Sequence, residues 1–254
     1  MRDNKRKEQI LEYLEANSGS KAVEIVNYFQ LNASGVFRHL KKLSEDGLIY
    51  KTGKPPKVFY FCYKKNMKED SFLGKQINWA CSGNSQFLGF DTLCSTRDLF
   101  QARLEKLLHD LLKITSENAA YLLVAIVGEI GNNAFDHNLG NWRDVAGLVF
   151  DIDLAGREII LSDRGQGVLA TIKRVKPDVK NDEDALRIAF TKVISGRFPE
   201  QRGNGLKFVK KVVVENNFYL KFYSGAAVCQ IDSYGLKLDS GKVIIPGVLA
   251  LIKF

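Results

Sequence analysis

Glu129-Ile130-Gly131-Asn132-Asn133-Ala134-Phe135-Asp136-His137 closes a stretch that begins at Ser116 and is apolar on nearly every side through Ala119 to Val127. The periodicity predicts one helix, with the Ser116 hydroxyl as its N-terminal cap. Residues 129, 133 and 137 stand four apart and share a face, on which Ala125 and Tyr121 come one and two turns earlier. A helix that is apolar all round and then presents a carboxylate, an amide and an imidazole in line reads as a buried helix whose last turns open onto a site. A solvated helix end is the plainer alternative.

Downstream, Gly147 to Asp151 and Glu158 to Leu161 are two apolar runs around Leu154-Ala155-Gly156-Arg157, a hairpin that ends in Asp163-Arg164-Gly165-Gln166-Gly167. A charged segment follows, Val168 to Arg202, with a helix predicted over Asp182 to Lys192. Arg202-Gly203-Asn204-Gly205-Leu206 then opens a helix over Lys207 to Glu215, and the N–H groups at such a glycine-rich start suit phosphate oxygens. Three strands complete this part: Phe218 to Tyr223, Ala227 to Asp232, and Val248 to Lys253 after Pro246-Gly247. Upstream, Leu99, Phe100, Leu104, Leu107, Leu108 and Leu111 fit a helix from Arg97 to Leu112 started by Thr96.

The Glu129-x-x-x-Asn133-Ala-x-x-His137 stretch, followed thirty residues after Asn133 by Asp163-x-Gly165-x-Gly167, resembles the motifs of the GHKL ATPases, the family of gyrase, the heat-shock chaperone, the mismatch-repair ATPase and the histidine kinases. The resemblance covers about residues 97 to 254. It implies the Bergerat fold, an α/β sandwich with helices on one face of a mixed, mostly antiparallel sheet, and ATP with Mg²⁺ as cofactors. Mg²⁺ takes hard oxygen ligands, few of them from protein, so the Asn133 amide oxygen suffices as metal ligand. Glu129, one turn away, is the implied general base. Asp163 would accept the adenine amino group, and Gly165 and Gly167 would let the backbone approach the nucleotide. Asp136, His137, Arg202, Gly203, Asn204, Gly205 and Leu206 complete the implied nucleotide site, with a mobile lid at about 168 to 202 and closure that often goes with dimerisation. Gln201 departs from the pattern, standing where many relatives have glycine. The compact spacing is similar to the anti-sigma-factor serine kinases. Two activities therefore compete: an ATPase that switches a DNA-binding module, or a serine/threonine protein kinase acting on a STAS-like partner.

The switched module is legible at the other end of the chain. Three short helices are expected over Lys5 to Ala16, Lys21 to Phe29 capped by Ser20, and Ala33 to Asp46 capped by Asn32; Gln30-Leu31 makes the turn between the last two. Val23, Val26 and Phe29 on the second helix and Val36, Leu40 and Leu43 on the third are the expected buried positions. Leu48-Ile49-Tyr50 and Val58-Phe59-Tyr60-Phe61 read as a hairpin with Lys51, Lys54 and Lys57 at its tip. Helix, helix, helix, hairpin resembles the winged helix-turn-helix regulators, whose third helix enters the major groove while the wing touches backbone. Ser34, Arg38, His39, Lys41 and Lys42 are assigned to the DNA-facing side, with Arg38 and His39 nearest to base edges. Such modules also serve as protein-interaction domains; the lysine-tipped wing favours double-stranded DNA.

Charge agrees with that division. Of the net +8, residues 1 to 68 hold 14 Lys and Arg against 7 Asp and Glu, and the remainder is nearly balanced at 23 against 22. A basic module on a neutral one is the asymmetry expected when the first part meets a polyanion. The domain plan is thus α+β: a winged helix over 1 to 65, a connector over 66 to 96 without sustained periodicity, part of which could add a first strand, and the ATP-binding domain from 97 to 254. Four scattered cysteines suggest neither zinc nor disulfides. With no apolar run long enough for a membrane and no secretory pattern at the N-terminus, a cytoplasmic location is expected.

Overall fold

Ile10 and Leu14 of α1 (Arg2–Ala16), Ile25 of α2 (Ala22–Phe29) and Val36, Leu40 and Leu43 of α3 (Ala33–Glu45) close a core with Ile49 and Tyr60 of a hairpin, β1 (Ile49–Lys54) and β2 (Lys57–Cys62). They lie in the first of two units into which the chain divides, Met1–Gly74 and Lys75–Phe254. The computed structural model describes residues 2–17, 19–45, 48–62, 71–82, 92–192 and 205–254. Between α2 and α3 the chain turns at Gln30, in the left-handed region at φ 51°, and the Leu31 N–H donates to the Val26 carbonyl at 3.2 Å. Asn32 caps α3, its side-chain oxygen accepting from the Gly35 N–H at 2.7 Å.

Two expectations for α2 are corrected. Ser20 does not cap it: the Ser20 carbonyl accepts from the Tyr60 N–H at 2.8 Å, and the Tyr60 carbonyl accepts from the Gly19 N–H at 3.0 Å, so this segment pairs with the wing. The helix therefore starts one residue later, with Lys21 at the cap position and the Glu24 carboxylate accepting its N–H at 3.0 Å. Val23 consequently points to solvent, and Ala22 and Ile25 face the core.

The second unit is built on a five-stranded sheet in the order β3-β4-β5-β7-β6, comprising β3 (Leu93–Cys94), β4 (Leu148–Asp153), β5 (Glu158–Asp163), β6 (Tyr219–Asp232) and β7 (Gly235–Lys253). Every described pairing is antiparallel, where a mixed sheet was expected. The fold is α+β. One face of the sheet, through Phe150, Leu161, Phe222 and Ile252, packs on α5 (Arg97–Leu111), α6 (Glu117–Asn138) and α9 (Gly205–Glu215), which contribute Phe100, Leu123, Ile126, Val127, Val209 and Val213. Thr96 and Ser116 cap α5 and α6 as expected, accepting from the Leu99 and Ala119 N–H groups, each at 3.3 Å. Residues 168–192 carry α8 (Asp182–Thr191) and most of α7 (Gly167–Lys173), which share a small core of Ile172, Val179, Ala185 and Ile188.

The three C-terminal strands expected are two long ones. Tyr219 to Asp232 is continuous through a bulge around Ser224–Ala227, and the last strand already begins at Gly235. Gly225 supplies the left-handed residue of the bulge, at φ 59°, so a glycine that reads as a break only bends the strand.

Helices are not confined to one face. α4 (Phe72–Ser82) arises where no periodicity was apparent, and its residues in the second unit include Gln76, Ile77, Trp79, Ala80 and Cys81, all buried. Burial on nearly all sides removes the polar face on which helical periodicity depends. Gln76 donates at 2.7 Å to Asp151, whose side chain alternates along β4 with the core residues Phe150 and Ile152, which puts α4 on the opposite side of the sheet. All four cysteines are buried free thiols, and burial pushes Cys81 and Cys229 up to about 12. No described helix is long and apolar enough to cross a membrane. Because Trp79 is 1% exposed, Trp79→Ala should lower the free energy of denaturant unfolding by about 3–5 kcal/mol. A loss below about 1 kcal/mol, the level of an ordinary surface change, would mean that α4 does not seal this face.

Candidate nucleic-acid interface and a polar site at the end of β5

In the N-terminal unit the Asn32 cap directs α3 so that Ser34, Arg38, Lys41 and Lys42 are exposed on the side away from Val36, Leu40 and Leu43. Lys41 lies 3.7 Å from Glu45, an exposed pair that contributes little to stability and leaves the cation available. Lys51 and Lys57 are exposed on the wing, and Lys57 stands opposite Lys54 in the hairpin register. The Lys54 side chain lies outside the described residues. His39 is a correction. Three residues after Val36 and four before Leu43, it falls on the core side of α3 and is 6% exposed, so it cannot read a base edge.

Residues 4–51 match the family model of bacterial regulatory proteins of the arsR family. No curated protein matches the chain. The match runs from α1 to the first wing strand, so the N-terminal unit carries an arsR-type helix-turn-helix, with α2 and α3 as its paired helices. Such an element suggests a DNA-binding regulator, and the described cations Arg38, Lys41, Lys42, Lys51 and Lys57 are exposed on α3 and the wing.

In the second unit the residues singled out on α6 fall into two groups. Glu129 and Asn133 are half-buried one turn apart, and the Asn133 amide donates to Glu129 Oε1 at 3.3 Å. Gly205, the first residue of α9, comes so close that a β-carbon there would lie 1.6 Å from Glu129 Oε1. The Glu129 carboxylate thus packs against the first described residue of α9. Asp136, in contrast, is engaged by Arg97 at the start of α5, and the Arg97 guanidinium also lies 5.9 Å from the centre of the Phe135 ring. His137 is exposed, and its carbonyl accepts from the Gln166 amide at 2.5 Å. Leu206 packs against the main core. Arg202, Gly203 and Asn204 lie outside the described residues, as does the 193–202 part of the expected lid.

At the C-terminal end of α6 stands a group organised by Asp163, which is 2% exposed. Its Oδ1 accepts from the Gly165 N–H at 2.8 Å and from the Asn138 amide at 3.1 Å, and the Val248 N–H donates to the same carboxyl. Desolvation nonetheless dominates these donors and pushes the carboxyl up to about 7. Asn138 is a residue that the sequence reading missed. It is buried, its side-chain oxygen accepts from the Gln166 N–H at 3.0 Å, and Gly165 rests directly on it, with 2.0 Å to a β-carbon placed there. Gly167 adopts φ 77°, which a side chain would strain. Ser224 fastens the start of α7, accepting from the Val168 N–H and donating to the Gly247 carbonyl, both at 2.9 Å.

Arg164 was likewise missed. Alternation along β5 sends it to the α4 side, where it is 4% exposed. Its guanidinium grips Asp144 with two hydrogen bonds, at 2.7 and 2.5 Å, and donates to the Trp79 and Ala80 carbonyls at 3.1 and 2.5 Å. Arg164 thereby holds the Asp144 carboxyl below the usual carboxylate range. A signal for Asn138 and Arg164 did exist, since each directly adjoins a residue of the two motifs.

The Asp163 carboxyl yields a pH prediction. Raised in the folded chain to about 7 from 3.8, it lets the folded state hold a proton that the unfolded state gives up. Its contribution to stability is therefore complete below about pH 4 and is lost as pH rises through about 7. Thermal or denaturant unfolding should show the wild type losing about 2–3 kcal/mol more than Asp163→Asn between about pH 5 and pH 7.5. Parallel profiles for the two proteins would contradict the raised carboxyl.

Proposed function

We propose that this chain is a regulator that binds duplex DNA through α3 and the β1–β2 wing and takes Mg·ATP in its second unit, nucleotide occupancy setting the affinity for DNA. The observation that carries the nucleotide half is the buried Asp163 carboxyl, held by Asn138 at the end of α6, with Asn133 five and Glu129 nine residues back, Glu129 beside the first turn of α9. At 1.5 Å per residue Glu129 stands roughly 13 Å and Asn133 roughly 7 Å from Asn138 along the helix. These separations suit a base at one end and phosphates at the other.

The residues fit the ligand chemically. A carboxyl withdrawn from water and short of charge compensation favours a partner that donates hydrogen bonds, as the exocyclic amine of adenine does. The N-terminus of α9 offers N–H groups to phosphate oxygens. The Asn133 amide donates its N–H to Glu129, which leaves its oxygen as one hard ligand for Mg²⁺, the remaining ligands coming from phosphates and water. Bound Mg²⁺ would supply charge neutralisation at the phosphates. Glu129, half-buried and held by Asn133, is placed to take a proton from a water or hydroxyl. On this reading Asp136, engaged with Arg97, orders the helix end and does not touch the nucleotide.

Titration calorimetry of the full chain with Mg·ATP should detect binding that Asp163→Ala weakens by at least about tenfold, the loss of one hydrogen bond to a charged group. Equal affinity in the two proteins would refute the site. For the DNA half, about four phosphate contacts from Arg38, Lys41, Lys42, Lys51, Lys54 and Lys57 predict a slope near −4 for log affinity against log salt. A slope near zero would exclude the basic surface as the contact.

A further inference from the structure

α3 exposes one large apolar side chain. Phe37 is 52% exposed, on the side of the helix that carries Ser34, Arg38 and Lys41 and away from the buried Val36, Leu40 and Leu43. The fold makes no evident use of it. Among the described residues of this unit the other exposed aromatic, Tyr28, stacks on Tyr13 at 4.5 Å and on Phe29 at 4.9 Å, whereas Phe37 packs with no other described ring. Its surroundings are cationic: Arg38, Lys41 and Lys42 follow it, and the one acid of α3, Glu45, is two turns away beside Lys41. An apolar group framed by cations matches a polyanion that also presents an apolar group, and the major groove does so at the 5-methyl of thymine. Position along the helix agrees. Phe37 is the fifth residue of α3, in the N-terminal half from which a recognition helix reaches base edges, and Lys41 and Lys42 lie in the half that meets phosphates.

We infer that Phe37 reads the 5-methyl group of thymine and is a specificity-determining residue of the DNA interface, a role that rests on the DNA-binding reading above. Phe37 carries no charge and so adds nothing to the salt-dependent, sequence-independent part of binding. Its effect is confined to sites with thymine at the contacted position.

The test uses the full chain and a duplex selected by it from a randomised pool. Each thymine of the selected site is replaced singly by deoxyuridine, which removes only the methyl. At one position the replacement should weaken wild-type binding about threefold to fourfold, the contribution of one buried methyl-sized group. It should leave Phe37→Ala unaffected there, and Phe37→Leu should retain a partial preference for thymine. Phe37→Ala should keep the wild-type salt slope and its affinity for a random duplex, which also reports that the variant is folded. A uracil penalty equal in wild type and Phe37→Ala at every position would overturn the assignment of Phe37 and leave DNA binding standing. Retention of no duplex at any salt concentration would overturn both.

Discussion

The second unit depends on what happens at the end of β5, where two consecutive ionisable side chains are both buried and point to opposite faces of the sheet. Asp163 turns toward the helices and collects the Gly165, Asn138 and Val248 donors, which ties the last turn of α6 to the strap that begins α7. Arg164 turns the other way and collects Asp144 and two carbonyls of α4. Burying either charge without partners would cost several kcal/mol. The positions of α4, α6 and the 163–167 strap are therefore set together, and a ligand that altered the charge or hydrogen bonding of Asp163 would act on a segment already connected to both faces of the sheet. α4 is also the helix through which the chain passes from the first unit into the second.

The N-terminal unit follows a different logic, in which the core is small and the charge is exposed. Its apolar residues fill the space among three short helices and a hairpin, and Arg38, Lys41, Lys42, Lys51 and Lys57 are exposed. Exposed cations contribute little to stability. Their concentration in this unit, against a nearly balanced remainder of the chain, is understandable as attraction to the phosphate backbone, with sequence preference left to a few side chains of α3.

The sequence was informative where period and punctuation coincide. α3 and α5 were legible because a buried stripe and a capping side chain, Asn32 or Thr96, specify the same helix, and α6 because a long apolar run follows its Ser116 cap. α4 was not legible, because a helix buried on nearly all sides has no polar stripe to set its period. β6 and β7 were split where Gly225 and Pro246-Gly247 read as breaks, although a bulge and a paired strand accommodate them. At the candidate sites, residue type outran geometry. His39 looked like a base reader by chemistry but lies on the buried side of α3. Asp136 was grouped with the ligand-binding residues, yet its carboxylate is occupied by Arg97. Asn138 and Arg164 carry much of the local hydrogen bonding and were passed over because each adjoins a more recognisable residue.

The central claim is a linkage between the two units, and linkage is reciprocal: if nucleotide changes the affinity for DNA, DNA changes the affinity for nucleotide by the same factor. The most direct measurement is the dissociation constant of the full chain for a selected duplex, at fixed salt, with and without saturating Mg·ATP, in wild type and Asp163→Ala. The account predicts a change of at least about fivefold in the wild type, the lower end of ordinary allosteric coupling, and none in the variant. Identical DNA affinity with and without nucleotide, in a wild-type protein that calorimetry shows to bind Mg·ATP, would contradict it.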